Sequence, residues 1–163
     1  MKLLMHLKMA LFFEGQTTCP ICNKIITDTA EAVLFSAFIP NIKDDMYLFS
    51  DSTVHEYCLI NHRLGTKAIV YRDFFLKGIP SISSVCIVDN KIIKNPKDIL
   101  FFGLLTSNDN EKLAKYNFVT LNKKNVFQWD FRDYFIEVST SFLQEGKWKS
   151  EGGNMLEYVL LNN

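Results

Sequence analysis

Cys19-Pro-Ile-Cys22 and His55-Glu-Tyr-Cys58 are the two stretches whose reading decides the fold. Thiolate and imidazole are the ligands zinc prefers, in a tetrahedron. Two cysteines separated by two residues can wrap one ion from a tight turn, and Pro20 suits such a turn because its φ is fixed. His55 and Cys58 are spaced i, i+3, which places both side chains on one face of a helix. Cys19, Cys22, His55 and Cys58 are therefore expected to hold one structural Zn2+. With all four positions filled by protein, such a site has no open position for catalytic water. His62 lies four residues after Cys58 and is the competing ligand, less well placed than His55 at the helix start. The alternative for Cys19 and Cys22 is a redox pair, but Pro20 is wrong for that pattern and no βαβ unit surrounds it.

Between the ligand pairs lie two strand-like runs, Ala32 to Ile39 and Met46 to Phe49, split by the polar turn Pro40 to Asp45. Ser50-Asp51-Ser52 reads as an N-cap cluster for the helix carrying His55 and Cys58, and Gly65 as its stop. Knuckle, hairpin and ligand-bearing helix, in that order, resemble the treble-clef zinc finger. The resemblance covers Cys19 to Leu64 and rests on four ligand positions and their spacing. Thr66 reads as the cap of a short helix from Lys67 to Lys77, ending at Gly78, and the small, polar Gly78 to Ser84 stretch reads as a linker.

An offset of 67 residues sets Cys19-Pro-Ile-Cys-Asn-Lys-Ile-Ile26 against Cys86-Ile-Val-Asp-Asn-Lys-Ile-Ile93. Ungapped, 8 of 42 positions match between Cys19–Ile60 and Cys86–Phe127, and the apolar pattern is shared, which favours duplication over coincidence. The ligand columns change: Cys22 faces Asp89, His55 faces Asn122 and Cys58 faces Asn125. One thiol, one carboxylate and two amides make a poor zinc set, so no metal is expected there. Aromatic packing is expected to replace it. Phe127, Phe131, Tyr134, Phe135, Val138 and Phe142 form one helical stripe, with Phe101, Phe102, Tyr116, Phe118 and Trp129 completing a core. The fold class expected is α+β, with two treble-clef-like pseudo-repeats: residues 1–78 with one zinc, and a degenerate metal-free copy at 84–163.

Composition narrows the function. The 163 residues are 48% hydrophobic, enough for a packed core, and 18 basic balance 18 acidic side chains, leaving no electrostatic footprint for nucleic acid. Only Arg63, Arg72 and Arg132 are arginines, which weakens that reading further, since arginine makes the bidentate phosphate and base contacts. Met1 to Leu11 is apolar but short and interrupted by Lys8; it reads as a buried element and not a signal peptide. No run approaches a membrane span. A Cys-x-x-Cys without a secretory signal points to a reducing compartment, so a cytoplasmic protein is expected. The tail from Glu151 breaks at Gly152-Gly153 and is expected to dock on one repeat.

No phosphate-cradling glycine loop, His-Glu-x-x-His or nucleophile elbow occurs, so no enzyme is expected. The His-metal finger nucleases share the treble-clef frame but need a histidine on the hairpin, and 32–49 has none. A zinc-stabilised protein–protein interaction module is the first expectation. Among concrete roles, a bacterial immunity protein that masks a cognate toxin fits by size and class. A nucleic-acid-binding zinc protein is the second reading and a degenerate nuclease the third.

Overall fold

The computed structural model describes residues 11–150 and Leu156; the expectations for Met1 to Ala10 and for most of the tail lie outside the described residues. Leu11 itself is exposed, and Leu156 is buried. The chain is α+β: short helices with small antiparallel strand pairs. It divides into two compact units. Unit 1 takes the described residues through Phe38 together with Asp45–Asp73; unit 2 takes Ile39–Asp44 and the described residues from Phe74 on.

Unit 1 opens on a tight turn. Thr18 bridges Ile25, the Cys19 N–H donates to the Lys24 carbonyl (2.9 Å), and the Asn23 N–H donates to the Cys19 carbonyl (2.8 Å). Closing so short a turn puts Asn23 at φ +58°, a left-handed conformation that Asn tolerates better than most residues. Asp28 then caps a 3-10 turn, Thr29–Glu31, by accepting from the Ala30 N–H.

Strand β1, Ala32–Phe35, pairs antiparallel with β2, Ser52–His55, in the register Ala32↔His55. The second strand is thus not Met46 to Phe49. That stretch is a 3-10 helix, Asp45–Phe49, which buries Met46 and Phe49 on one side. The i, i+3 spacing of these two residues suits a 3-10 turn and not an alternating strand. Asp51, at φ +52°, turns the chain into β2, whose β-branched Thr53 and Val54 are both buried. The Ser50–Ser52 stretch consequently leads into a strand and does not cap the helix that carries Cys58, whose N-cap is His55.

Helix α1, Glu56–Asn61, follows directly, with His55 at its N-cap and no side-chain cap bond there. Gly65 does not stop this helix; it starts helix α2, Gly65–Gly78. A Cβ on Gly65 would lie 1.8 Å from the Leu59 carbonyl oxygen, so glycine is required by close backbone approach. Phe35 packs against Phe38 and Phe49, with ring centroids 5.9 and 5.4 Å away, and Ile26, Val54, Leu59 and Ala68 are buried with them.

Unit 2 contains a turn in which Val85 bridges Ile92, the Cys86 N–H donates to the Lys91 carbonyl (2.9 Å), and Asn90 sits at φ +55°. Asn95 caps the 3-10 turn Pro96–Asp98. Strand β3, Ile99–Phe101, pairs antiparallel with β4, Thr120–Asn122, in the register Ile99↔Asn122. A 3-10 helix, Lys112–Tyr116, lies between them in sequence; a second, Lys123–Gln128, follows β4, and helix α3 spans Arg132–Gln144. The segment Ile39–Asp44 is tied in through Asn41, whose carboxamide accepts from the Lys149 N–H and donates to the Lys147 carbonyl.

The core of unit 2 is aromatic, but the expected single stripe is broken. Phe135 packs on Phe102, Tyr116 and Trp129 with centroids 4.8, 4.9 and 5.5 Å away, and Val138 and Phe142 are buried beside them. Phe127, Phe131 and Tyr134 are exposed. Phe127 belongs to the 3-10 helix and Phe131 precedes α3, so the 3.6-residue period does not run through them. Phe101 and Phe118 are only partly buried, against Phe75 and Phe74.

Candidate metal centre

The turn at Cys19, the end of β2 and the first turn of α1 bring Cys19, Cys22, His55 and Cys58 together, with all four ligand atoms within 4.8 Å of one another. His55 turns Nδ1 toward the sulfurs, 3.4 Å from Cys22 Sγ and 4.0 Å from Cys58 Sγ. In a tetrahedron with zinc–sulfur bonds of about 2.3 Å and zinc–nitrogen bonds of about 2.0 Å, ligand atoms stand roughly 3.5–3.8 Å apart. The group is compatible with a zinc finger and can hold one zinc ion. A redox pair would need only Cys19 and Cys22; here a third thiol and an imidazole converge on the same point.

His62, the competing ligand, faces elsewhere. Its Nδ1 accepts from the Leu64 N–H at 3.2 Å, and its ring stands edge-on to Phe49 at 5.3 Å. The 3-10 turn into Leu64, which ends in the Gly65 N–H bond to the His62 carbonyl, swings this residue off the face of α1.

The electrostatics are those of a crowded thiolate site. Burial opposes ionisation of Cys19, but backbone N–H groups of Cys22, His55 and Ile21, with the His55 side chain, outweigh it and bring this thiol down to about 6. Cys58 is pushed the other way, to about 11, by burial, by hydrogen bonding to the Cys22 thiol and by the charges of Cys19 and Cys22. Three thiolates at this separation repel one another, and a divalent cation at their centre removes the conflict. The Ile21, Cys22 and His55 N–H groups aimed at the Cys19 sulfur are second-layer support of the kind metal sites use. They are invisible in the sequence, because any residue carries the same N–H.

In unit 2 the Cys86 sulfur is also met by donors: the Asn122 N–H at 3.2 Å and the Asn125 Nδ2 at 3.6 Å. Asp89 accepts from the Lys91 N–H at 3.2 Å. No helix among the described residues is long and apolar enough to cross a membrane. Comparison with protein-family models, curated proteins and solved structures finds no match for this chain.

Proposed function

We propose that this chain is a non-enzymatic, zinc-stabilised protein–protein interaction module made of two treble-clef-like pseudo-repeats, only the first of which carries zinc. The observation that carries the zinc assignment is the convergence of three thiols and one imidazole within 4.8 Å, a complete ligand set drawn from the protein alone.

The repeat reading is supported by backbone detail at the offset of 67 residues noted above. Asn23 and Asn90 share a left-handed conformation, as do Asp51 and Phe118. The strand pairs Ala32↔His55 and Ile99↔Asn122 hold the same register. Asp45–Phe49 and Lys112–Tyr116 are both 3-10 helices, and α2 and α3 start at corresponding residues, Gly65 and Arg132.

Binding through the surface is supported by apolar side chains left in solvent. Tyr57 and Ile60 stand out from α1 in unit 1, and Ile87, Ile92, Phe127 and Phe131 from unit 2. A zinc whose four positions are all protein gives stability, so the use of the molecule lies in what its surface holds. An immunity protein that occupies a toxin is the concrete role we assign, on grounds of size and class.

The test is a pull-down of the tagged chain from its native cells with nuclease treatment. One stoichiometric protein partner carrying a toxin domain is expected. A partner lost on nuclease treatment moves the reading to nucleic acid, and metal-dependent cleavage by the chain itself moves it to a nuclease.

A further inference from the structure

The environment of Cys86 goes further than a missing metal. We propose that it is a vacated zinc centre, in which hydrogen bonds to the Cys86 sulfur do the structural work of metal bonds while the backbone keeps the geometry of a ligand site. The inference rests on the pseudo-repeat reading above.

The four positions matching the ligand set are Cys86, Asp89, Asn122 and Asn125, and the last three each meet the Cys86 side chain. Cys86 is 1% exposed, and its sulfur accepts from the Asn122 N–H and the Asn125 side chain. The Asp89 carboxylate is held below the usual carboxylate range by the Lys91 N–H first, then by the side chains of Asn125 and Cys86. The Asn122 N–H on Cys86 has its counterpart in the His55 N–H on Cys19. The turn below is preserved as well: Asn90 donates to the Cys86 carbonyl at 2.9 Å and Ile93 to the Ser84 carbonyl at 2.8 Å, as Asn23 and Ile26 do to Cys19 and Thr17 at 2.8 Å each.

Each lost ligand has a replacement task. Asn125 donates its amide to the thiol where Cys58 would bind metal. Asn122 turns its carboxamide onto the Lys124 N–H at 3.0 Å and caps the 3-10 helix Lys123–Gln128, whereas His55 makes no such cap. Asp89 supplies an oxygen and closes the turn onto Lys91. Neutral carboxamides and a lone thiol do not hold zinc, but they satisfy one another. The centre therefore needs no ion, and the positions can still accept one if the ligands are restored.

The experiment is zinc content per chain, with cobalt(II) spectra, for the wild type and for the triple variant Asp89→Cys, Asn122→His, Asn125→Cys. The variant is expected to bind one zinc more than the wild type, with a second set of thiolate–cobalt charge-transfer bands. A folded variant with no additional zinc overturns the proposal. A wild type without zinc beside a variant with one keeps this inference and defeats the Cys19 assignment, so the two failures are distinguishable. Should the variant not fold, hydrogen exchange on the chelated wild-type chain decides. Amides of Asn90 and Ile93 are expected to stay protected, and Asn125→Ala to lose that protection with zinc content unchanged. Loss of protection at Asn90 and Ile93 on chelation alone overturns the proposal.

Discussion

At Cys19 and Cys58 the same chemical group is pushed in opposite directions by its neighbours. Cys19 ionises near 6, through backbone N–H groups that outweigh its burial, and Cys58 holds its proton to about 11. Zinc entry must expel the Cys58 proton at neutral pH, so protons compete with the ion. Cys19, lowered in the folded state from 9.0, contributes stability that is present above its unfolded value and lost as pH falls through about 6. Cys58, raised from 9.0, acts on the stability of the metal-free fold with the opposite sign, but for zinc binding a rising pH removes the competing proton from either thiol. Apparent zinc affinity is expected to rise steadily between about pH 6 and about pH 8, as read by chelator competition; a flat profile would count against thiolate ligation. A second prediction compares two cysteines. Cys22→Ser removes a ligand and is expected to abolish zinc retention and the cooperative thermal transition of unit 1. Cys86→Ser, in contrast, costs at most about 3 kcal/mol, the scale of a disturbed buried side chain. Equal damage from both, measured by calorimetry, contradicts the single-zinc account.

Short elements carry the architecture, and this limits how far it can be read from sequence. The ligand spacing is local chemistry, so the gathering of Cys19, Cys22, His55 and Cys58 and the helical turn holding Cys58 were legible. The hairpin was only half legible. Ala32–Phe35 reads as a strand, but its partner Ser52–His55 has four residues and sits behind a left-handed Asp51 that no periodicity reveals. Gly65 looks like a helix stop because glycine usually is one; here the Leu59 carbonyl leaves no room for a Cβ at a helix start. Gly65→Ala is expected to destabilise unit 1 by about 3 kcal/mol, since backbone and not a flexible side chain must move; urea unfolding measures it. The aromatic stripe misled because helical spacing was extended through a 3-10 segment. Phe135→Ala is expected to cost about 3–5 kcal/mol as a buried, stacked ring. Phe127→Ala, at an exposed position, is expected to stay within about 0.5 kcal/mol. Comparable losses from the two would restore the single-stripe reading.

On the scale of the whole molecule, the two units differ in what gathers their interiors. Unit 1 gathers three thiols and an imidazole; unit 2 packs Phe102, Tyr116, Trp129 and Phe135 and lets Asn125 satisfy the remaining cysteine. The division itself runs through α2 and returns Ile39–Asp44 to unit 2 by way of Asn41, a long-range carboxamide network that a linear reading had no means to anticipate. Structural zinc contributes an apparent binding free energy on the order of 10–16 kcal/mol in small fingers, comparable with the whole stability of an ordinary domain. Removing the ion is therefore expected to unfold unit 1 while the aromatic core of unit 2 persists, seen as retained tryptophan burial at Trp129 and Trp148 after chelation. The central claim is tested most directly by measuring bound metal in the purified native chain by mass spectrometry under non-denaturing conditions. One zinc per chain, absent from Cys22→Ser and retained by Cys86→Ser, is the result this account predicts. A chain that carries no zinc, or that keeps it after Cys22→Ser, would contradict it.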